Sequence, residues 1–270
     1  MPNTLTERVG LSIGRHFVSL SCMQFIPDKP EKPHVFSGFV MAIADEWFYV
    51  TAGHILRAVR AALTSGSTFD IWRLGDQTAA RGKFNHTAIP FDFNLENWLV
   101  IEDETLGIDY AAVHLGTLYR LQLEAGSVEA FQRDAWSDHM VASDHWALVG
   151  IPSESVSYDG KTNIGARFVL APLNKADAPE QAGKRAENQF YAQLAEDYEG
   201  VVRDIDGMSG GPVVNLKYGD EGGWRYGLIG VQSAWYPSIR TLAICPFSSF
   251  AVALEQAVLP ALARSNTAAE

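Results

Sequence analysis

Asp206-Gly207-Met208-Ser209-Gly210-Gly211-Pro212-Val213-Val214 sets a serine inside a glycine cluster that runs straight into an apolar strand. A serine hydroxyl is a weak nucleophile unless a base takes its proton as it attacks. Flanking glycines let the backbone turn tightly, so two N–H groups can converge beside the hydroxyl and stabilise an oxyanion. Taken alone, the stretch is an ordinary glycine-rich turn. Two further stretches change its reading. Thr51-Ala52-Gly53-His54 follows the apolar strand at 47–50, and Gly107-Ile108-Asp109-Tyr110-Ala111-Ala112-Val113 places an acid before a small apolar run. In chain order, His54, Asp109 and Ser209 supply a base, an acid able to orient it and a nucleophile.

Working outward, the chain reads as short strands with a two-residue period. Strands are expected at 16–25, at 35–43 and 47–50 (a hairpin around Ala44-Asp45-Glu46), and at 68–74, 87–93 and 98–101. A short helical pattern covers 55–63. Residues 116–140 break the rhythm and serve as a linker with room for a helix. Strands return at 145–149, 164–170, 211–216, 226–235 and 240–245. The polar stretch 172–188 is expected as an exposed loop or hairpin tip. A tail helix over 248–264 would be capped by Ser248 or Ser249, with Phe250, Leu254, Val258 and Leu262 on one face. Closely spaced strands with a terminal helix argue for barrels or sandwiches rather than alternating βα units.

The 270 residues, 47% hydrophobic and 11% aromatic, exclude wholesale disorder. The 32 acidic against 21 basic residues leave a net charge of −11, which argues against nucleic acid and anionic membranes as partners. No run approaches the ~20 apolar residues of a membrane span. No basic start followed by an apolar run marks export, so a cytoplasmic location is expected. Cys22 and Cys245 are too few for a disulfide framework; two buried thiols are expected, with one long-range disulfide as the other reading. Asp138-His139 and Asp144-His145 lack a third convergent ligand, so neither metal nor cofactor is expected. His114 reads as a satisfied core or edge residue, Glu102-Asp103-Glu104 as a solvated turn, and Asn85-His86-Thr87 as a glycosylation pattern without consequence in the cytoplasm.

The three stretches together resemble the chymotrypsin-like serine peptidases. TAGH is similar to their histidine motif, DYAAV to their aspartate motif and GMSGGPVV to their serine motif, in the family's chain order. FSGFVMAIADEWFYVTAGHIL resembles the hairpin leading to the histidine. HWALVGIP, ending in a Gly-x-Pro turn, resembles the bacterial HtrA-like and glutamyl-endopeptidase-like branches. The resemblance implies an all-β fold of two antiparallel β-barrels with a C-terminal α-helix. The halves would be 1–115 with His54 and Asp109, a 116–140 linker, 141–246 with Ser209, and a 247–270 helix and tail. It also implies His54 as general base, Asp109 as its orienter, Ser209 as nucleophile and the Gly207 and Ser209 N–H groups as oxyanion hole.

In digestive members an aspartate precedes the serine and pairs with a new N-terminus. Met208 cannot do so, and the early sequence lacks their Ile-Val-Gly-Gly start. Control by a regulatory partner or signal is therefore expected rather than zymogen cleavage. The floor of the primary pocket would carry Arg203, six residues before the serine, or else Asp204 or Asp206 beside it. Gly230 to Trp235, with Gln232 and Ser233, resembles the strand that pairs with an extended polypeptide substrate, although a packed core strand ending in Trp235 reads equally well. The rival to the enzyme is a binding or scaffold protein on a catalytically silent peptidase fold.

Overall fold

In a computed structural model of the protein, the described residues are 5–75, 88–136, 145–161, 163–195, 202, 204–218 and 224–267, with side chains described between 9 and 260. The strands are β1 (Ser19–Phe25), β2 (Lys32–Phe36), β3 (Phe39–Ile43), β4 (Glu46–Thr51), β5 (Thr68–Gly75), β6 (Ile89–Pro90), β7 (Trp98–Asp103), β8 (Ile108–Leu115), β9 (His145–Gly150), β10 (Ser157–Tyr158), β11 (Ile164–Gly165), β12 (Val169–Ala176), β13 (Phe190–Leu194), β14 (Pro212–Tyr218), β15 (Trp224–Tyr236) and β16 (Thr241–Pro246). The helices are α1 (Leu5–Gly14), α2 (Gly53–Thr64), α3 (Thr117–Ala125), α4 (Arg133–Trp136) and α5 (Phe247–Thr267).

Among the described residues the pairings between these strands are antiparallel, and one isolated parallel bridge joins Met41 to Phe131. The later half closes into a barrel in the order β12-β13-β16-β15-β14-β9. The earlier half is two four-stranded sheets, β2-β1-β5-β6 and β3-β4-β8-β7. They meet at one corner, where Val18 N–H donates to the Gly38 carbonyl and Val40 N–H to the His16 carbonyl. The expected single strand at 35–43 is therefore two strands in different sheets, divided at Ser37-Gly38. Gly38 is required there, because a Cβ would lie 2.4 Å from the Tyr49 ring. The β3–β4 hairpin closes through Ala44 and Asp45, both left-handed (φ 50° and 66°), the two-residue turn whose twist matches its strands.

Three large apolar clusters among the described residues hold this arrangement, beside a small one of Ala182, Tyr191 and Ala243. One fills the earlier half around Leu20, Tyr49, Leu74, Trp98 and Val113; another fills the barrel around Leu148, Ala192, Met208, Val213 and Ile244. The third lies between the halves. It joins Phe39, Met41 and Val50 to Val149, Val214 and Val231, and includes Ile13 of α1, Phe17 beyond it, and Phe247, Phe250 and Leu254 of α5.

Several elements depart from the sequence expectations. Residues 172–176 are strand: β12 pairs with β9 up to Leu173 and with β13 from Leu173 on, so Pro172 sits in the barrel wall. The rest of that polar stretch holds two 3-10 turns within Glu180–Glu187, broken at Gly183, and β13 behind them was not anticipated. Helix α1 was not anticipated either. Helix α5 starts at Phe247, so Ser248 and Ser249 lie in its first turn instead of capping it. Leu262 lies beyond the described side chains. Cys22 and Cys245 are free and buried. Among the described residues no helix is long and apolar enough to cross a membrane, and no cluster of three His, Cys, Asp or Glu could hold a metal. Asn85-His86-Thr87, Asp138-His139 and Asp144 lie outside the described residues.

Candidate active site

His54 is the second residue of α2, which begins immediately after β4, and Asp109 is the second residue of β8, the strand hydrogen-bonded to β4. The helix start leaves backbone N–H groups without intrahelical acceptors, and no side chain at Ala52 caps them. Asp109 supplies the missing acceptor. Its Oδ1 accepts from the His54 backbone N–H (2.8 Å), while its Oδ2 accepts from His54 Nδ1 (2.7 Å) and from the Ser233 hydroxyl (2.7 Å). Gly53 permits the approach, since its own Cβ position is 3.2 Å from Oδ1.

Three donors thus lock a carboxylate that is 6% exposed. Burial alone would push its pKa up; the bonds from the His54 ring, from Ser233 and from the His54 N–H outweigh that and hold Asp109 below the usual carboxylate range. An ionised carboxylate only accepts, so the His54 proton resides on Nδ1 and the Nε2 lone pair faces away from Asp109. Nearby, Glu102 pairs in register with Asp109, and its carboxyl is raised by burial even though Arg57 opposes the shift. Arg57, three residues after His54, bonds Glu102 (3.0 Å) and Glu104 (2.7 Å). Only part of the acidic run is therefore a solvated turn. His114 is exposed and paired with Glu46 (2.8 Å).

Ser209 lies on a turn held from several sides. Ser153 N–H donates to the Asp206 carbonyl (2.7 Å), Ser37 Oγ to the Gly207 carbonyl (3.2 Å) and Gly210 N–H to the Gln232 carbonyl (2.9 Å). Met208 N–H and Gly211 N–H are satisfied within the turn, by the Ile205 and Met208 carbonyls. Among the described residues the N–H groups of Gly207 and Ser209 have no acceptor, so the free donors alternate with the bonded ones. Gly207 and Gly210 adopt φ 86° and 84°, the left-handed region that favours glycine. Gly210 rests against the chain leading to His54: a Cβ on it would be 2.1 Å from Thr51 Oγ1 and 2.8 Å from the Ala52 nitrogen. Ser209 itself is half-buried, and no hydrogen bond joins it to His54 among the described residues.

The remaining expected site residues are dispersed. Arg203 lies outside the described residues. Asp204 and Asp206 are exposed, and Asp204 accepts from the Asp206 N–H (3.0 Å). Gln232 is buried with its backbone tied to Gly210 and Gly211, so it braces the serine turn. Ser233 sits at a strand irregularity that turns its hydroxyl onto Asp109. Trp235 pairs with Leu242 and leans half-buried on the barrel core. Sequence reading missed Gln189, whose side chain reaches across to Gly107, and the Arg57–Glu102 pair. The arginine three residues after the histidine, with acids on the neighbouring strand, was the available signal for the latter.

No family model matches the chain, and no curated protein matches it. Solved structures do. The structure of GrC aligns over 90% of this chain and 94% of its own, at 12% identity and a TM-score of 0.51. The thermostable serine protease AL20 from an extremophilic microorganism aligns over 88% and 94% at 15% identity and a TM-score of 0.46. The protease Anisep from Arthrobacter nicotinovorans aligns over 86% and 90% at 14% identity and a TM-score of 0.46. At such identities the likeness is one of fold. The chain has an all-β fold of antiparallel sheets with one closed six-stranded barrel and a C-terminal helix, and its likeness to GrC is a likeness of that fold.

Proposed function

We propose that this protein is a serine endopeptidase, with His54 as general base, Asp109 as its orienter and Ser209 as nucleophile. The observation that carries the reading is the doubly bonded Asp109 carboxylate, which holds His54 by ring and backbone together and leaves Nε2 as the free base. In the reaction Ser209 Oγ bonds to the scissile carbonyl carbon as its proton passes to His54 Nε2. The oxyanion takes up the two free N–H groups of Gly207 and Ser209. The C–N bond then breaks, the leaving amine takes the proton from His54, and an acyl-enzyme remains. Water, deprotonated by the same nitrogen, releases the acid and restores the hydroxyl.

The two halves of the site come from residues 1–115 and 141–246. Met208 is buried in the barrel core and needs no ionic partner, which supports regulation by a protein partner or signal in place of zymogen cleavage. The HWALVGIP motif supports the HtrA-like or glutamyl-endopeptidase-like branch, and a cytoplasmic setting fits the free thiols. The absence of a Ser209–His54 bond favours the second reading, a silent scaffold. A fluorophosphonate probe separates them: labelling of the protein that vanishes in Ser209→Ala supports the nucleophile, and absence from both, even with candidate activators added, favours the scaffold. Cleavage of a peptide library by the unlabelled protein then assigns the pocket to Arg203 or to Asp204 and Asp206.

A further inference from the structure

The turn that leads into Asp109 is gripped from the other half of the molecule. Arg185 Nε donates to the Glu104 carbonyl (2.9 Å), Asn188 Nδ2 to the Leu106 carbonyl (3.0 Å) and Gln189 Nε2 to the Gly107 carbonyl (2.8 Å). Gln189 reaches furthest toward the site. It is 8% exposed, and the same Nε2 lies 3.4 Å from Ser233 Oγ, the hydroxyl that donates to Asp109. The amide has one consistent orientation. The Gly107 carbonyl only accepts, and the Gln189 Oε1 on the other side accepts from the Tyr191 hydroxyl (3.2 Å). The contact is closed, because a Cβ at Gly107 would lie 2.8 Å from Gln189 Cδ.

The Ser233 hydroxyl carries one proton. With an N–H directed at its oxygen from Gln189, that proton is left to point at Asp109 Oδ2. We propose that Gln189 is a positioning residue for the His54–Asp109 pair, acting through Ser233, with its bond to the Gly107 carbonyl holding the amide in place. Its effect on rate rests on the peptidase reading; its effect on the His54–Asp109 bond does not.

Two readouts keep the readings apart: the low-field proton resonance of His54 Nδ1–H, and the rate of fluorophosphonate labelling. The proteins are the wild type, Ser209→Ala, Ser233→Ala, Gln189→Leu, Gln189→Glu and the Ser233→Ala/Gln189→Leu double variant, each first shown to melt cooperatively. In Gln189→Leu the resonance shifts or broadens and labelling slows about tenfold. Gln189→Glu, which keeps the shape but replaces the donor by an acceptor, loses at least as much and remains informative if the leucine variant fails to fold. In the Ser233→Ala background, Gln189→Leu costs less than about twofold more, because the path already runs through Ser233. An unchanged resonance, full labelling of Gln189→Glu, or losses that multiply in the double variant overturns the inference. If the wild type never labels, even with candidate activators added, while the resonance still answers to Gln189→Leu, the peptidase reading falls and the positioning role stands.

Discussion

Met208→Ala tests whether the serine turn is held by its side chain or by its backbone. Met208 is fully buried beneath Ser209, in the cluster with Val202, Ile205 and Val213, and the Gly150 backbone closes over it, with the ideal Cβ position there only 3.0 Å from Met208 Cβ. Truncating a buried methionine to alanine costs about 2–5 kcal/mol through lost transfer energy and the cavity left behind. Taking about 3.5 kcal/mol and about 3 °C per kcal/mol for a chain of this size, the melting temperature falls by about 10 °C. The rate is governed by other contacts. Backbone bonds at Asp206, Met208, Gly210 and Gly211, with Ser37 Oγ on the Gly207 carbonyl, set the turn, and none uses the methionine side chain. Labelling of Ser209 at about 25 °C, well below the lowered melting point, is therefore expected within tenfold of the wild type. Loss of one oxyanion donor would instead cost about 100- to 1000-fold. A folded Met208→Ala protein with labelling slowed a hundredfold would refute the reasoning, since the side chain would then be shaping the donors directly.

Gly210→Ala should do the opposite. Its Cβ would overlap Thr51 Oγ1 and the backbone at Ser37 (2.6 Å) and Ala52, in addition to the left-handed strain of about 1–2 kcal/mol. Labelling should fall by more than about a hundredfold. Gly160→Ala, equally left-handed but facing open space, is the control and should label at the wild-type rate; equal rates in the two variants would dismiss the contact. Stability should also fall on mild acidification. Burial lowers the His16 pKa to about 4, against the pull of the Glu129 carbonyl, and the ring is further held by Tyr226 (2.8 Å) and stacked on Phe131. The unfolded imidazole takes its proton near its ordinary value of about 6.5. Stability is thus fully present above that pH and is lost as pH falls toward about 4, by up to roughly 3 kcal/mol. Urea midpoints at about pH 7 and about pH 5 should converge in His16→Gln relative to the wild type; an unchanged difference would show that other groups carry it.

What could be read from the chain followed from local rules. The apolar aromatic run of residues 47–50, the helical spacing of 55–63 and the apolar stripe Phe250–Leu254 each encode an element whose neighbours are close in sequence. The motif residues were visible for a similar reason: Gly207 and Gly210 must be glycine for their own φ, whatever packs on them. The break at Ser37-Gly38 was not visible, because the ring that forbids a side chain there belongs to Tyr49 on another strand. The strand through Pro172 was hidden as well. Its polar residues read as loop, and only pairing with β9 and β13 makes them barrel wall.

By itself the sequence determined the strand-rich class, the order of His54, Asp109 and Ser209, and an apolar residue, Met208, just before the serine. Tertiary structure decided what those residues do to one another. It turned the Ser233 hydroxyl onto Asp109, tied Gln232 to the serine turn and carried Gln189 across to Gly107. The first and last of these contacts join residues 124 and 82 positions apart. No local propensity encodes such distances; they exist only once three apolar cores have closed the sheets around them.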